Sequence, residues 1–347
     1  MEQQYDAFLL VSFGGPEGRD DVIPFLENVL RGRNVPRSRL EEVADHYYKF
    51  DGVSPINGHC RALLQALKPE FEKASIRLPI YWGNRNWHPM LAGTIQKMAE
   101  DGVKRALAFV TSAYSSYSSC RQYLEDIEKA RNTVGAAAPI IDKLRPFYNH
   151  PKFIEVNAQN VRKAVNELAS IGHQMELEKR SKNQWENDVQ IAFTAHSIPA
   201  TMASGCQYST QLTEVCRLVA EKAKINDWAL AYQSRSGPPT QPWLGPDIGE
   251  HLRTIAGGKC KKVVICPIGF ISDHMEVIYD LDHEAKAVAE EVGLQVVRAQ
   301  TAGVDPLFIE MVRMLVDERL QGAPRLSSGN LPSLPDLCPV DCCAKGY

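Results

Sequence analysis

Between residues 272 and 284 the chain reads Ser-Asp-His-Met-Glu-Val-Ile-Tyr-Asp-Leu-Asp-His-Glu. Glu276, Asp280 and Glu284 stand four apart, so on a helix of about 3.6 residues per turn they fall on one line. Like charges at that spacing weaken a helix by roughly 0.2–0.5 kcal/mol per pair. Val277, Ile278, Leu281, Ala285 and Val288 form an apolar stripe beside the line, which puts the acids at the border of a buried face. Hard carboxylate oxygens strung out from His274 suit a divalent cation, held or passed along. The plain alternative is a solvated acidic face with no ligand.

The elements that would position such a segment are legible. Short apolar runs alternate with longer helical patterns, the mark of βα units and a parallel sheet. Candidate strands are 6–12, 78–82, 105–111 and 137–144 in the first half, and 189–195, 227–232, 262–267 and 294–299 in the second. With helical segments near 152–170 and 210–224, this predicts two similar doubly wound α/β domains, 1–150 and 151–320, followed by an extension over 321–347. Residues 173–188 are charged without a clear stripe and read as an exposed insertion. Polar, Gly- and Pro-rich loops follow the strands, and in open α/β sheets ligands bind outside the carboxyl ends of the strands. Those loops carry His, Arg, Tyr and acids, so a cleft between the domains is expected.

The 347 residues leave ample chain for a large core. A formal charge of −3 gives no reason to expect nucleic acid as a partner. No G-x-G-x-x-G follows the first strand and no Walker pattern occurs, which argues against a nucleotide cofactor. No apolar run of ~18 residues is present, and the polar start Met-Glu-Gln-Gln is no signal peptide. A cytoplasmic protein is expected, with peripheral contact to a membrane surface left open.

Five motifs in order are specific: Phe13-Gly14-Gly15-Pro16, Ala195-His196-Ser197-Ile198-Pro199, Gln233-Ser234-Arg235-Ser236-Gly237-Pro238, Trp243-Leu244-Gly245-Pro246 and Ser272-Asp273-His274-Met275-Glu276. With Gly52-Val53-Ser54-Pro55-Ile56 they make the chain resemble the ferrochelatases over about residues 5–320. The resemblance implies two Rossmann-like domains, each with a four-stranded parallel sheet, around a porphyrin cleft. It also implies insertion of Fe²⁺ into a porphyrin during haem synthesis, with ferrous iron as substrate and haem-pathway enzymes as possible partners. Insertion removes two pyrrole protons and strips water from the cation. A histidine, with a reference pKa of about 6.5, suits the first task, and a carboxylate path suits the second.

On this resemblance His196 is the proton acceptor or first metal ligand, Glu276 and His274 form the facing wall, and Asp280 and Glu284 continue the acidic line along a helix with a π-turn. Arg31, Tyr47 and Ser54 match positions that contact propionates. Arg85 and His88 match the loop after the second strand, where Asn86 replaces the tyrosine of many members. Phe13 faces the metal centre; it has no donor atom, which argues against axial ligation from this side. Trp243 packs at the cleft rim or in the core. Arg31 and Arg33 in one loop resemble the bacterial enzymes that take coproporphyrin, so coproporphyrin III is expected over protoporphyrin IX. A cobalt or sirohaem-type chelatase and a haem or metal-chelate carrier are the competing readings.

Nine cysteines are present, of which Cys60, Cys206, Cys216, Cys260 and Cys266 read as thiols in a reducing compartment. Cys338, Cys342 and Cys343 cluster near residue 340 and are one short of a Cys₄ site. The resemblance implies a 2Fe–2S cluster held by these three and Cys120. Structural zinc and a disordered tail with reactive thiols are the alternatives.

Overall fold

The structure, a computed structural model, describes residues 5–32, 35–176, 189–237, 240–258, 261–339 and 341–345. The first sheet comprises β1 (Ala7–Ser12), β2 (Ile80–Asn84), β3 (Arg105–Val110) and β4 (Ile140–Lys143), in the order β2-β1-β3-β4. The second comprises β5 (Val189–His196), β6 (Trp228–Gln233), β7 (Lys262–Cys266) and β8 (Gln295–Arg298), in the order β6-β5-β7-β8. Every pairing is parallel. The two sheets therefore repeat one spatial order. All six residues of β1 are buried, as expected for a strand covered on both faces, and for that reason its sequence is a continuous apolar run.

The largest core spans both sheets. Phe8, Leu107 and Phe109 of the first join Phe193 and Val264 of the second through Phe147, Phe153 and Phe308. The helix Pro306–Leu320 lies against both the helix Pro151–Glu176 and the helix Ile56–Lys73. This packing ties the end of the second half back to the first. A small separate cluster, Val22, Phe25, Leu26, Leu40 and Ala44, sits between the helices Arg19–Val29 and Arg37–Tyr48.

Polar groups are buried where the halves join. Arg145 and Glu318 form a bidentate pair, with both N···O distances 2.8 Å and side chains 0% and 3% exposed. His150 caps the helix Pro151–Glu176: its carbonyl accepts the N–H of Ile154 at 3.1 Å and its Nδ1 accepts that of Lys152 at 3.2 Å. The neutral ring must then carry its proton on Nε2, which is buried and has no protein partner. Burial, then the charges of Arg145 and Lys152, push His150 down to a pKa of about 3.

The helix starting at Pro151 runs to Glu176, so the charged stretch 173–188 begins inside a helix; residues 177–188 lie outside the described residues. The described residues after Leu320 form no helix or strand but are fastened. Asn149 Nδ2 donates to Leu331 O at 2.8 Å, Tyr148 Oη to Pro332 O at 3.1 Å, and the Asn330 N–H to Glu214 at 2.7 Å. Among the described residues no helix is long and apolar enough to cross a membrane.

Candidate active site

The site is built from the carboxyl end of β5 upward. His196 closes that strand opposite Gln233 of β6. Its ring Nδ1 lies 2.5 Å from Ser197 O; a carbonyl can only accept, so Nδ1 carries the hydrogen and Nε2 presents its lone pair. Gly269 lets the loop after β7 press against this strand, because a Cβ there would lie 2.7 Å from Ala195 Cα.

Nε2 of His196 stands 3.6 Å from Glu276 Oε1, and the other oxygen, Oε2, is 3.9 Å from His274 Nδ1. The carboxylate thus lies between two imidazoles. Its side chain is 48% accessible, so water reaches it within the cleft. Burial opposes the charge on Glu276, but the positive charge of His196 when protonated prevails, with help from His274, and holds its pKa at about 2. Burial likewise opposes protonation of His196, and Glu276 reverses the balance to raise its pKa. His274 goes the other way: burial outweighs the attraction of Glu276 and lowers it. The two neighbouring histidines are thus shifted in opposite directions.

The acidic line continues on a π-helical stretch, Ile278–Ala285, between the α-helical turns Met275–Val277 and Lys286–Glu291. Val277, Leu281, Ala285 and Ala289 are its buried stripe; Ile278 and Val288, expected in the stripe, are half-buried. Asp280 accepts from Ser234 Oγ and, at 3.4 Å, from Gln233 Nε2, which also donates to Glu276 O at 2.9 Å. Ser234 holds a left-handed backbone, φ +60°, an unusual conformation for a residue with a Cβ. Burial raises Asp280 to about 7; Ser234 opposes this, and the charges of Glu276 and Glu284 add to it. Glu276 and Glu284 are exposed and Asp280 between them is half-buried.

The first half supplies the facing wall. Tyr47 is raised by burial and then by the charges of Glu276 and Asp280. Next to it, His46 stacks on Tyr279 of the π-helix with ring centroids 3.8 Å apart, and Lys49 Nζ donates to Tyr279 Oη at 3.3 Å. Phe13 packs edge-on to Phe25, and Arg85, although buried, is committed to Asp126 at 2.5 Å and lies over the rings of Tyr123 and Phe13. Ser54 is buried where a Cβ on Gly15 would collide with it. Arg31 is exposed, just past the helix Arg19–Val29, and bonds Asn28 in its last turn; Arg33 lies outside the described residues. Trp243 is half-buried over Gly237, where a Cβ would meet its indole nitrogen. His196, Glu276, His274, Asp280 and Tyr47 are therefore brought together, whereas Ser54 and Arg85 are held behind the wall.

Sequence reasoning passed over Asn57 and Asn84. Asn84 Nδ2 donates to Asn57 Oδ1 and to His88 O, and Asn57 Nδ2 to Gly15 O and His88 O. Both are fully buried and fasten the loops after β1 and β2 to each other. An asparagine closing an apolar strand was the available signal.

Two of the terminal thiols, Cys338 and Cys343, feel the charge of Cys120. Burial, then Cys342 and Cys120, raise Cys338 to about 11; burial and the same two neighbours, with Cys206, raise Cys343. The sulfurs of Cys342 and Cys343 are 3.6 Å apart. The donor set thus fits a four-thiolate group in number and type. Among the described residues no three His, Cys, Asp or Glu side chains are already gathered as an ion site. The described cysteines are free thiols; Cys260 lies outside them.

Two parallel four-stranded sheets with this cleft define a chelatase fold. SirB from Bacillus subtilis with Fe³⁺ is similar at a TM-score of 0.52 and 12% identity, over 90% of this chain and 96% of that one. DR2241 from Deinococcus radiodurans is similar at 0.51 and 12%, over 89% of this chain and 55% of that one. A sequence model of the ferrochelatase family matches residues 5–320. The ferrochelatase of Rhodopirellula baltica is 52% identical over 343 residues, 98% of this chain and 93% of that protein. The coproporphyrin III ferrochelatase of Nocardia farcinica is 48% identical over 98% of this chain and 96% of that protein, and that of Streptomyces coelicolor 47% over 98% and 93%. The chain belongs to the ferrochelatase family, as the motifs led us to expect.

Proposed function

We propose that this protein inserts Fe²⁺ into coproporphyrin III, a lyase-type reaction of haem synthesis. The observation that carries the reading is the pairing of His196 Nε2 with Glu276 at the inner end of the acidic line. Neutral His196 takes a pyrrole proton on Nε2, the Glu276 carboxylate stabilises the imidazolium that results, and that proton passes to the water reaching Glu276 before the second pyrrole proton follows by the same route. Ferrous iron, the substrate, enters past Glu284. It displaces the proton that Asp280, with a pKa raised to about 7, tends to keep, and exchanges its water for carboxylate oxygens. Phe13 and Tyr47 enclose the macrocycle from the first half, while Arg31 and Trp243 meet it at the rim.

Coproporphyrin is favoured by the names of the relatives from Nocardia and Streptomyces. Cys120, Cys338, Cys342 and Cys343 would hold a 2Fe–2S cluster, which when bound supplies one-electron chemistry and a covalent tie for the extension. The free thiols suit a reducing, cytoplasmic setting.

The test is anaerobic assay with Fe²⁺ against coproporphyrin III and protoporphyrin IX, using wild type and Glu276→Gln. The expected result is faster insertion into coproporphyrin III and a loss of about 100-fold in the variant, with porphyrin binding retained by absorbance titration. Folded wild-type protein that inserts iron into neither porphyrin would refute the assignment.

A further inference from the structure

Three like charges in a row and a π-turn both disfavour the helix that carries them, so something outside it must hold it in place. That anchor comes from the end of β8. The guanidinium of Arg298, its side chain 17% exposed, donates from Nε and Nη2 to Asp282 at 2.6 and 2.9 Å, and from Nη1 and Nη2 to Asp273 at 3.2 and 3.0 Å. Thr301 Oγ1 completes the set with a bond to Asp273 at 3.1 Å. Asp273 immediately precedes His274. Asp282 falls between Asp280 and Glu284 in sequence and so points away from the acidic line. One planar cation therefore grips the chain on both sides of His274, Glu276 and Asp280.

We propose that Arg298 is a positioning residue for metal delivery, fixing through Asp273 and Asp282 the separation of His274, Glu276 and Asp280; this rests on the chelatase reading above. Two forked carboxylate contacts from one side chain need the rigid guanidinium. A lysine ammonium, a point charge, satisfies one carboxylate and releases the other. The released segment holds the iron-handling groups and not the porphyrin pocket of the first half, so the two substrates respond differently. Groups that orient metal ligands from behind are commonly worth about 10–100-fold in metal affinity or activity.

The experiment compares wild type, Arg298→Lys and Asp282→Asn, the last keeping the Arg298–Asp273 contact should the lysine variant fail to fold. Initial rates are measured anaerobically with Fe²⁺ and coproporphyrin III varied in turn, and hydrogen exchange is followed by mass spectrometry. The proposal expects KM for Fe²⁺ to rise about 10-fold, KM for porphyrin to change less than about twofold, and exchange to quicken over residues 273–285 but not in the helix Tyr208–Ala223. An unchanged KM for Fe²⁺ with kcat falling in step with the folded fraction overturns it, as does exchange that quickens evenly across both segments. If wild type inserts no iron, the functional reading fails by itself, and the exchange pattern still decides whether Arg298 holds the segment.

Discussion

His150 allows a stability prediction with a worked magnitude. Its ring is fully buried, accepts the Lys152 N–H through Nδ1 and leaves Nε2–H without a protein partner. A second proton would have to go on Nδ1, where it would oppose that N–H and add charge beside Arg145 and Lys152. The folded pKa is accordingly about 3, against 6.5 for the free side chain. Between these values the unfolded chain binds a proton that the folded one refuses, so the contribution is complete above pH 6.5 and is lost as pH falls toward 3. Linkage gives a loss of about 2 kcal/mol at pH 5 and about 3 kcal/mol at pH 4, relative to pH 8. His150→Asn keeps a capping acceptor but cannot titrate. Urea unfolding of both proteins at pH 8, 6 and 5 cancels the fixed cost of the substitution and every other titrating group. The stability difference should move in favour of the variant by about 2 kcal/mol between pH 8 and 5. A difference that stays flat across that range would refute the argument.

Gly269→Ala should cost about 1–3 kcal/mol by overpacking and lower iron insertion, since the new Cβ would press on Ala195 beside His196. Gly93→Ala, a helical position with open space around it, is the control and should be neutral or slightly stabilising in thermal melts. Arg145→Met, which strands Glu318 in the interior, should cost about 3–5 kcal/mol in chemical unfolding, with most of it recovered when Glu318 is also changed to Met. Anaerobically purified wild type should show visible absorption from the cysteine-bound cluster, absent in Cys343→Ser, while iron insertion persists; colourless wild type would remove the cluster.

The strands were legible because buried parallel strands are short continuous apolar runs; all eight lie within the expected segments to within two or three residues. The acidic line was legible because four-residue spacing is unusual for like charges, and the neighbouring apolar residues show which face is buried. Several features were not. The strand order depends on contacts between residues about 100 apart, as in the pairing of Phe8 with Leu107. Ser234 and Arg298 act through Asp280, Asp273 and Asp282 across loops, and nothing in their immediate sequence reveals the partner. Tyr47 was expected at a propionate; that it also feels Glu276 and Asp280 follows from how the helix Arg37–Tyr48 meets Tyr279 through His46. Arg85 looked available, but its charge is spent on Asp126, a residue outside every motif.

The two walls of the cleft differ in stiffness. His196 and Glu276 stand on elements packed into large cores, one of which continues through both sheets to the helix Pro306–Leu320. Phe13 and Tyr47 rest instead on the five-residue cluster around Phe25, and segments with few buried apolar contacts open at lower free energy. On the function proposed above, a flat macrocycle that must enter and leave would displace the softer wall, parting His46 from Tyr279 while His196 and Glu276 stay in register. Recognition and chemistry would on that function fall to different mechanical halves: the yielding side would adapt to the shape of the ring, and the rigid side would keep the spacing of His196 and Glu276.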